Sequence, residues 1–156
     1  MSAGSLFAAD GGRAAALKRG TEIHAIYERI EWMEPAEAKT DVERALVKPE
    51  GVVDLWRERS YELFREGVWE SGQFDRVVFT GEGAERRATI YDFKTNEPRD
   101  ETNETFAARM RATYAGQMSS YRHAVHELTG IPQDRISSVL LLLATGHVVK
   151  LDALGQ

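Results

Sequence analysis

The sequence predicts an α/β domain: a mixed β-sheet flanked by helices, in the order helix, strand, strand, strand, helix, strand. Three observations carry that expectation. Apolar residues recur at helical spacing near the start and again over 101–128, and β-branched and aromatic residues fill the stretch between. A continuous apolar run, VLLLLA at 139–144, then follows the second long helix. A strand apolar on both faces needs cover on both, which points to a sheet lying between helices.

Taken in order, residues 1–12 (MSAGSLFAADGG) are small and Gly-rich. They read as a flexible lead-in or the cut edge of a larger protein, leaving 13–156 as a single domain. From about Arg13 to Met33, Ile23, Ile26, Tyr27 and Ile30 form an apolar stripe, and Pro35 ends the helix. A shorter helix over about 36–47 is broken by KPEG at 48–51. From about Trp56 to Lys94, the segments RSYELF, VWESGQFDRVVF and RRATIYDFK are separated by REG and TGEGAE, which have turn chemistry. They predict a meander of three antiparallel strands. Helix returns over 101–128, with Tyr114, Met118, Tyr121, Val125 and Leu128 on one stripe, and stops at TGIP. The segment RISSVLLLLATGHVVKL reads as a buried strand, a turn at Gly146 and a partner strand.

Composition narrows the function. A chain of 156 residues, 42% hydrophobic, suits one core. With no cysteine it can hold no disulfide, thiolate zinc site or iron–sulfur cluster, which fits a reducing, cytoplasmic setting. The longest apolar run is too short for a bilayer, and no basic region precedes a long apolar segment at the N-terminus, so neither membrane span nor signal peptide is expected. A net charge of −5 argues against a strong autonomous grip on nucleic acid. The chain has no G-x-x-x-x-G-K-[ST] loop, hence no ATP site of that kind, and no G-x-S-x-G elbow.

Polar groups stand where packing does not demand them in four places. In ATIYDFKTN, strand alternation puts Ile90, Asp92 and Lys94 on one face and Tyr91, Phe93 and Thr95 on the other. In SGQFDRVVF, Asp75 alternates with Val77 and Phe79, so its carboxylate faces an apolar side and needs a partner or a metal. Two carboxylates converging from adjacent strands suit Mg²⁺ or Mn²⁺, and a nearby lysine can position water. An ordinary salt bridge explains each acid equally well when it is taken alone. His24, in KRGTEIHAIYE, lies at the rim of the first apolar stripe, where a partly buried surface histidine is the common case. Gln117 and Tyr121, four apart in YAGQMSSYRHA, are neighbours on one helix face, or simply an exposed glutamine beside a core tyrosine.

Together RGTEIH, SGQFDRVV, IYDFKTN and YAGQMSSY, in this order and at these separations, resemble the RecB-like branch of the PD-(D/E)XK nucleases. These are nuclease domains at the C-terminal end of RecB and AddA helicase–nucleases. The resemblance runs from about Arg19 to Leu151 and implies a restriction-endonuclease-like core. It implies metal ligation by His24, Asp75, Asp92 and the backbone carbonyl of Phe93, with Mg²⁺ as cofactor and Mn²⁺ able to substitute. Lys94 would act on the attacking water or the scissile phosphate, while Gln117 and Tyr121 would support the lysine and contact DNA. It further implies DNA as substrate, a role in double-strand-break processing, and a helicase motor in the same polypeptide or complex. Gln73 departs from the pattern, standing where the family commonly has an apolar or small residue. The absence of cysteine points away from the iron–sulfur relatives. The alternative is the same fold with a dead site, serving as a DNA-binding or scaffold module.

Overall fold

A computed structural model describes residues 3–51 and 53–151, with side chains from Ala14 onward. Strands β1 (Val53–Arg65), β2 (Val68–Thr80) and β3 (Arg87–Lys94) form an antiparallel meander. Helix α3 (Asn103–Thr129) then carries the chain to β4 (Ile136–Leu142), which lies parallel to β3, and β5 (His147–Leu151) returns antiparallel beside it. The result is one mixed sheet with its five strands in sequence order. Helices α1 (Ala3–Glu28) and α2 (Asp41–Ala45) precede it.

The sheet is packed on both faces, which is why the β4 run is apolar without alternation. Ile90, Leu140 and Leu142 pack with Phe106, Met110 and Met118 of α3. Phe93, Val139 and Leu141, one residue out of phase, pack with Tyr27, Ile30, Val42 and Leu46 from the other layer. Among the described residues no helix is long and apolar enough to cross a membrane.

Helix boundaries differ from the periodic reading. α1 starts earlier than Arg13 and stops at Glu28 rather than Met33. Its stop has a tertiary cause. Arg76 of β2, 1% exposed, donates from Nη1 to the carbonyl of Ile30 at 2.7 Å and from Nη2 to that of Glu31, with its guanidinium 5.0 Å from the Trp32 ring centre. Those carbonyls, and the chain after Glu28, are therefore held by the sheet and not by a further helical turn. The helix expected over 36–47 is a short 3-10 turn, Pro35–Glu37, followed by α2. Thr40 sets the start of α2, because its hydroxyl accepts from Glu43 N–H while the Glu43 carboxylate accepts from Thr40 N–H.

The apolar stripes are only partly buried. Tyr27 and Ile30 reach the core, whereas Ile23 and Ile26 are 37% and 60% exposed. α1 leans on the sheet by its C-terminal end, so the rest of its stripe faces out. Leu128 is likewise exposed, in the last turn of α3, where no core residue reaches it. Gly130 then ends that helix at φ 77°, a left-handed position where glycine carries no Cβ penalty.

One irregularity shapes the rest. β1 and β2 pair in a constant register from Arg65↔Val68 to Val53↔Thr80, but Glu58 and Asp75, which face each other in it, do not pair. Glu58 has φ 47°, a left-handed backbone on a non-glycine residue. Phe74 joins Val77 and Phe79 in one cluster, and Trp56 joins Tyr61, although strict alternation would separate them. Alternation therefore slips by one residue on both strands at this point. This corrects the expectation that Asp75 shares the face of Val77 and Phe79: it sits at the slip and turns toward α1 and β3.

Candidate active site

At the slip, five elements bring polar side chains together: α1, β1, β2, β3 and α3. The alternation of β3 sends Asp92 and Lys94 to the α3 side with Ile90, and Phe93 to the α1 side. Lys94 Nζ lies 2.7 Å from Asp92 Oδ2 and donates to Gln117 Oε1 at 2.8 Å. Gln117 Nε2 in turn donates to Tyr121 Oη at 3.2 Å, the contact that four-residue spacing on a helix allows. Asp75 Oδ2 accepts the Phe93 N–H at 2.9 Å and lies 3.4 Å from His24 Nε2. The imidazole packs edge-on against the Phe93 ring at 5.4 Å. All seven residues singled out in the sequence thus lie in one run of contacts.

Close passage of α1 across the end of β3 makes the His24–Asp75 approach possible. A Cβ on Gly20 would stand 2.8 Å from Thr95 Oγ1 and 3.2 Å from Thr95 Cβ, so a larger residue there fits only if Thr95 or the helix shifts.

The acids are crowded. Asp92 is 4% exposed, and burial first, then the Asp75 carboxylate, push its pKa up to about 7 from an ordinary 3.8. The Lys94 ammonium pulls the other way and does not overcome burial. Tyr121 is pushed up to about 12 by burial and then by Asp92 and Asp75, so it remains a neutral hydroxyl.

Two acids in this cluster escape the sequence reading. His24 Nδ1 lies 3.2 Å from Glu28 Oε2, one helical turn on. Glu58, at the left-handed position, accepts from Gln73 Nε2 at 3.3 Å, which gives the unusual Gln73 a local role. Burial, a hydrogen bond with Glu28 and the charge of Asp75 push Glu58 up to about 7. Its Oε2 is buried with no hydrogen-bond donor, which disfavours the ionised form of Glu58. A signal for Glu58 did exist. The two residues Glu66-Gly67, with φ 52° and 78°, form a tight primed-type turn, and counting back from it sets Glu58 opposite Asp75.

In kind, the donors suit a hard divalent cation: carboxylate oxygens and one imidazole. Glu28 at Nδ1 leaves Nε2 aimed at Asp75, the outer-shell arrangement that orients a ligating histidine. A cation would also relieve the repulsion between Asp75 and Asp92. Among the described residues, however, no three His, Asp or Glu side chains surround a common point at ligand distance. Asp75 and Asp92 are held instead by the Phe93 N–H and by Lys94.

A family model, the PD-(D/E)XK nuclease superfamily, matches residues 26–153. The matched span takes in Asp75, Asp92, Lys94, Gln117 and Tyr121 and begins just past His24. None of the curated proteins matches the chain.

Proposed function

Because the chain belongs to the PD-(D/E)XK nuclease superfamily, we propose that it is a divalent-cation-dependent deoxyribonuclease that hydrolyses DNA phosphodiester bonds. The observation that carries this reading is the contact of two neighbouring acids, buried Asp92 and partly buried Asp75, with both an imidazole and an ammonium. A purely structural ion pair needs one carboxylate and one cation. A second acid beside the buried one raises the electrostatic cost and is explained by a cation that both would hold.

His24, Asp75, Asp92 and the Phe93 carbonyl are the residues that would hold Mg²⁺ or Mn²⁺. Such a cation acidifies water and offsets negative charge gathering on the phosphate, worth several kcal/mol in general. The chain's own groups do the rest. Lys94, fixed between Asp92 and Gln117, presents its ammonium to the attacking water or to a phosphate oxygen. The water oxygen bonds to phosphorus as the ester P–O bond breaks, leaving a phosphate on one end and a hydroxyl on the other. Tyr121 steadies Gln117, and its neutral hydroxyl can also donate to a phosphate.

The order of the four motifs supports placing the domain in the RecB-like branch, as the exonuclease module of a helicase–nuclease acting in double-strand-break repair in the cytoplasm. A motor in the same polypeptide or complex would deliver the strand. The test is cleavage of end-labelled single- and double-stranded DNA with Mg²⁺, Mn²⁺ or EDTA. Metal-dependent cleavage that disappears in Lys94→Ala is the expected result. A folded wild-type chain that binds DNA but cleaves nothing with either metal would instead be a scaffold module.

A further inference from the structure

Lys94 has a further partner in Tyr114, which opens the same YAGQMSSY stretch that carries Gln117 and Tyr121. Its Nζ lies 3.9 Å from the centre of the Tyr114 ring. An ammonium has three donors, and Asp92 Oδ2 at 2.7 Å and Gln117 Oε1 at 2.8 Å take two of them. The aromatic face meets the remaining side of the charge. Tyr114 is itself held in place, because its hydroxyl donates to Asn96 Oδ1 at 3.0 Å, two residues beyond Lys94 where the chain leaves β3. The ring also packs against the core cluster. The platform is therefore tied to the same segment that carries the lysine.

We propose that Tyr114 is a positioning residue for the reaction: its ring face fixes the Lys94 ammonium where water and phosphate meet it. This role rests on the nuclease reading above. Asp92 would be drawn toward a cation when one binds, which weakens its hold on Lys94, and Gln117 alone leaves the flexible side chain free to swing. The ring keeps attracting the charge and, unlike a carboxylate, neither competes for the cation nor adds negative charge near the phosphate. A partly desolvated contact of this kind predicts that Tyr114→Leu lowers kcat by about five- to thirty-fold, with KM little changed.

The experiment pairs kinetics with a spectroscopic signature. In protein with ¹³C-labelled lysines, the Lys94 ε-methylene signal, assigned by its loss in Lys94→Arg, should be shifted upfield by the Tyr114 ring current. Tyr114→Leu should move it to the position of the other lysines and lower kcat, while Tyr114→Phe should restore both shift and rate. Tyr114→Met serves as a second ring-free variant if the leucine variant does not fold. An unshifted wild-type signal, or a folded ring-free variant with wild-type kcat, overturns the proposal. A wild-type chain that cleaves nothing overturns the nuclease reading instead, whereas a cleaving wild type beside a fully active ring-free variant overturns only the role of Tyr114.

Discussion

Asp92 and Glu58 are acids that the fold holds against their charged forms, each pushed up to about 7. A carboxyl whose folded pKa exceeds its unfolded value binds more protons when folded, so stability falls as pH rises between the two values. Below the ordinary carboxylate range their contribution is fully present, and it is lost as pH rises through about 7. In EDTA the melting temperature of the wild type should therefore drop between pH 4.5 and 7.5. Asp92→Asn should flatten much of that slope and match or exceed wild type at pH 7.5, where each 1 kcal/mol is worth about 2–4 °C. It should also remove most of the metal-induced rise in melting temperature. Calorimetry checks both. An asparagine variant clearly less stable than wild type at pH 7.5 would identify Asp92 as Lys94's structural partner only.

Elements were legible in the sequence to the extent that local spacing decides them. Strand alternation in IYDFK placed Asp92 and Lys94 together because nothing interrupts β3. It failed at Asp75, where the slip depends on a left-handed Glu58 that no propensity announces. The end of α1 was illegible for a similar reason, since it is fixed by Arg76, far along the chain. Replacing Arg76 by Ala should leave two carbonyls and a cavity unfilled, costing about 2–4 kcal/mol in urea unfolding. A loss below 0.5 kcal/mol would mean that the α1 stop does not depend on it. The hairpin of β1 and β2 poses a different problem. β3 pairs with β2 only from Arg76 to Thr80. Tyr61 and Phe74 are still buried in the core, but beyond them the outer part of the hairpin, about 64–70, is a two-stranded arm with Phe64 and Trp69 62% and 70% exposed. Such a ribbon has little stability of its own. Its amides should exchange with deuterium well before those of β3 and β4, and equal protection throughout would contradict this.

For the whole molecule, a charge of −5 and an acid-rich centre mean that phosphate meets repulsion until a cation arrives. Lysine and arginine clusters supply most non-specific affinity elsewhere, and that contribution falls steeply with salt. The isolated chain should bind DNA with Kd at or above ~10⁻⁶ M at physiological salt. Its cleavage should be slow and should quicken greatly when a motor feeds it the strand. Fluorescence anisotropy across a salt series is the check, and nanomolar binding at physiological salt would reveal a local basic channel that the net charge conceals.

At Glu58 the demands of activity and of durability can be separated by selection. Its backbone adopts φ 47°, where a side chain costs on the order of 1–3 kcal/mol, and its carboxylate is crowded by Glu28 and Asp75. Glycine at this position would relieve both burdens, so a library screened for heat resistance alone should enrich Glu58→Gly. The same library screened for DNA cleavage should discard it. Divergent enrichment at one codon would mark Glu58 as a residue kept for activity at the expense of stability, and parallel enrichment would show that the strained backbone is incidental.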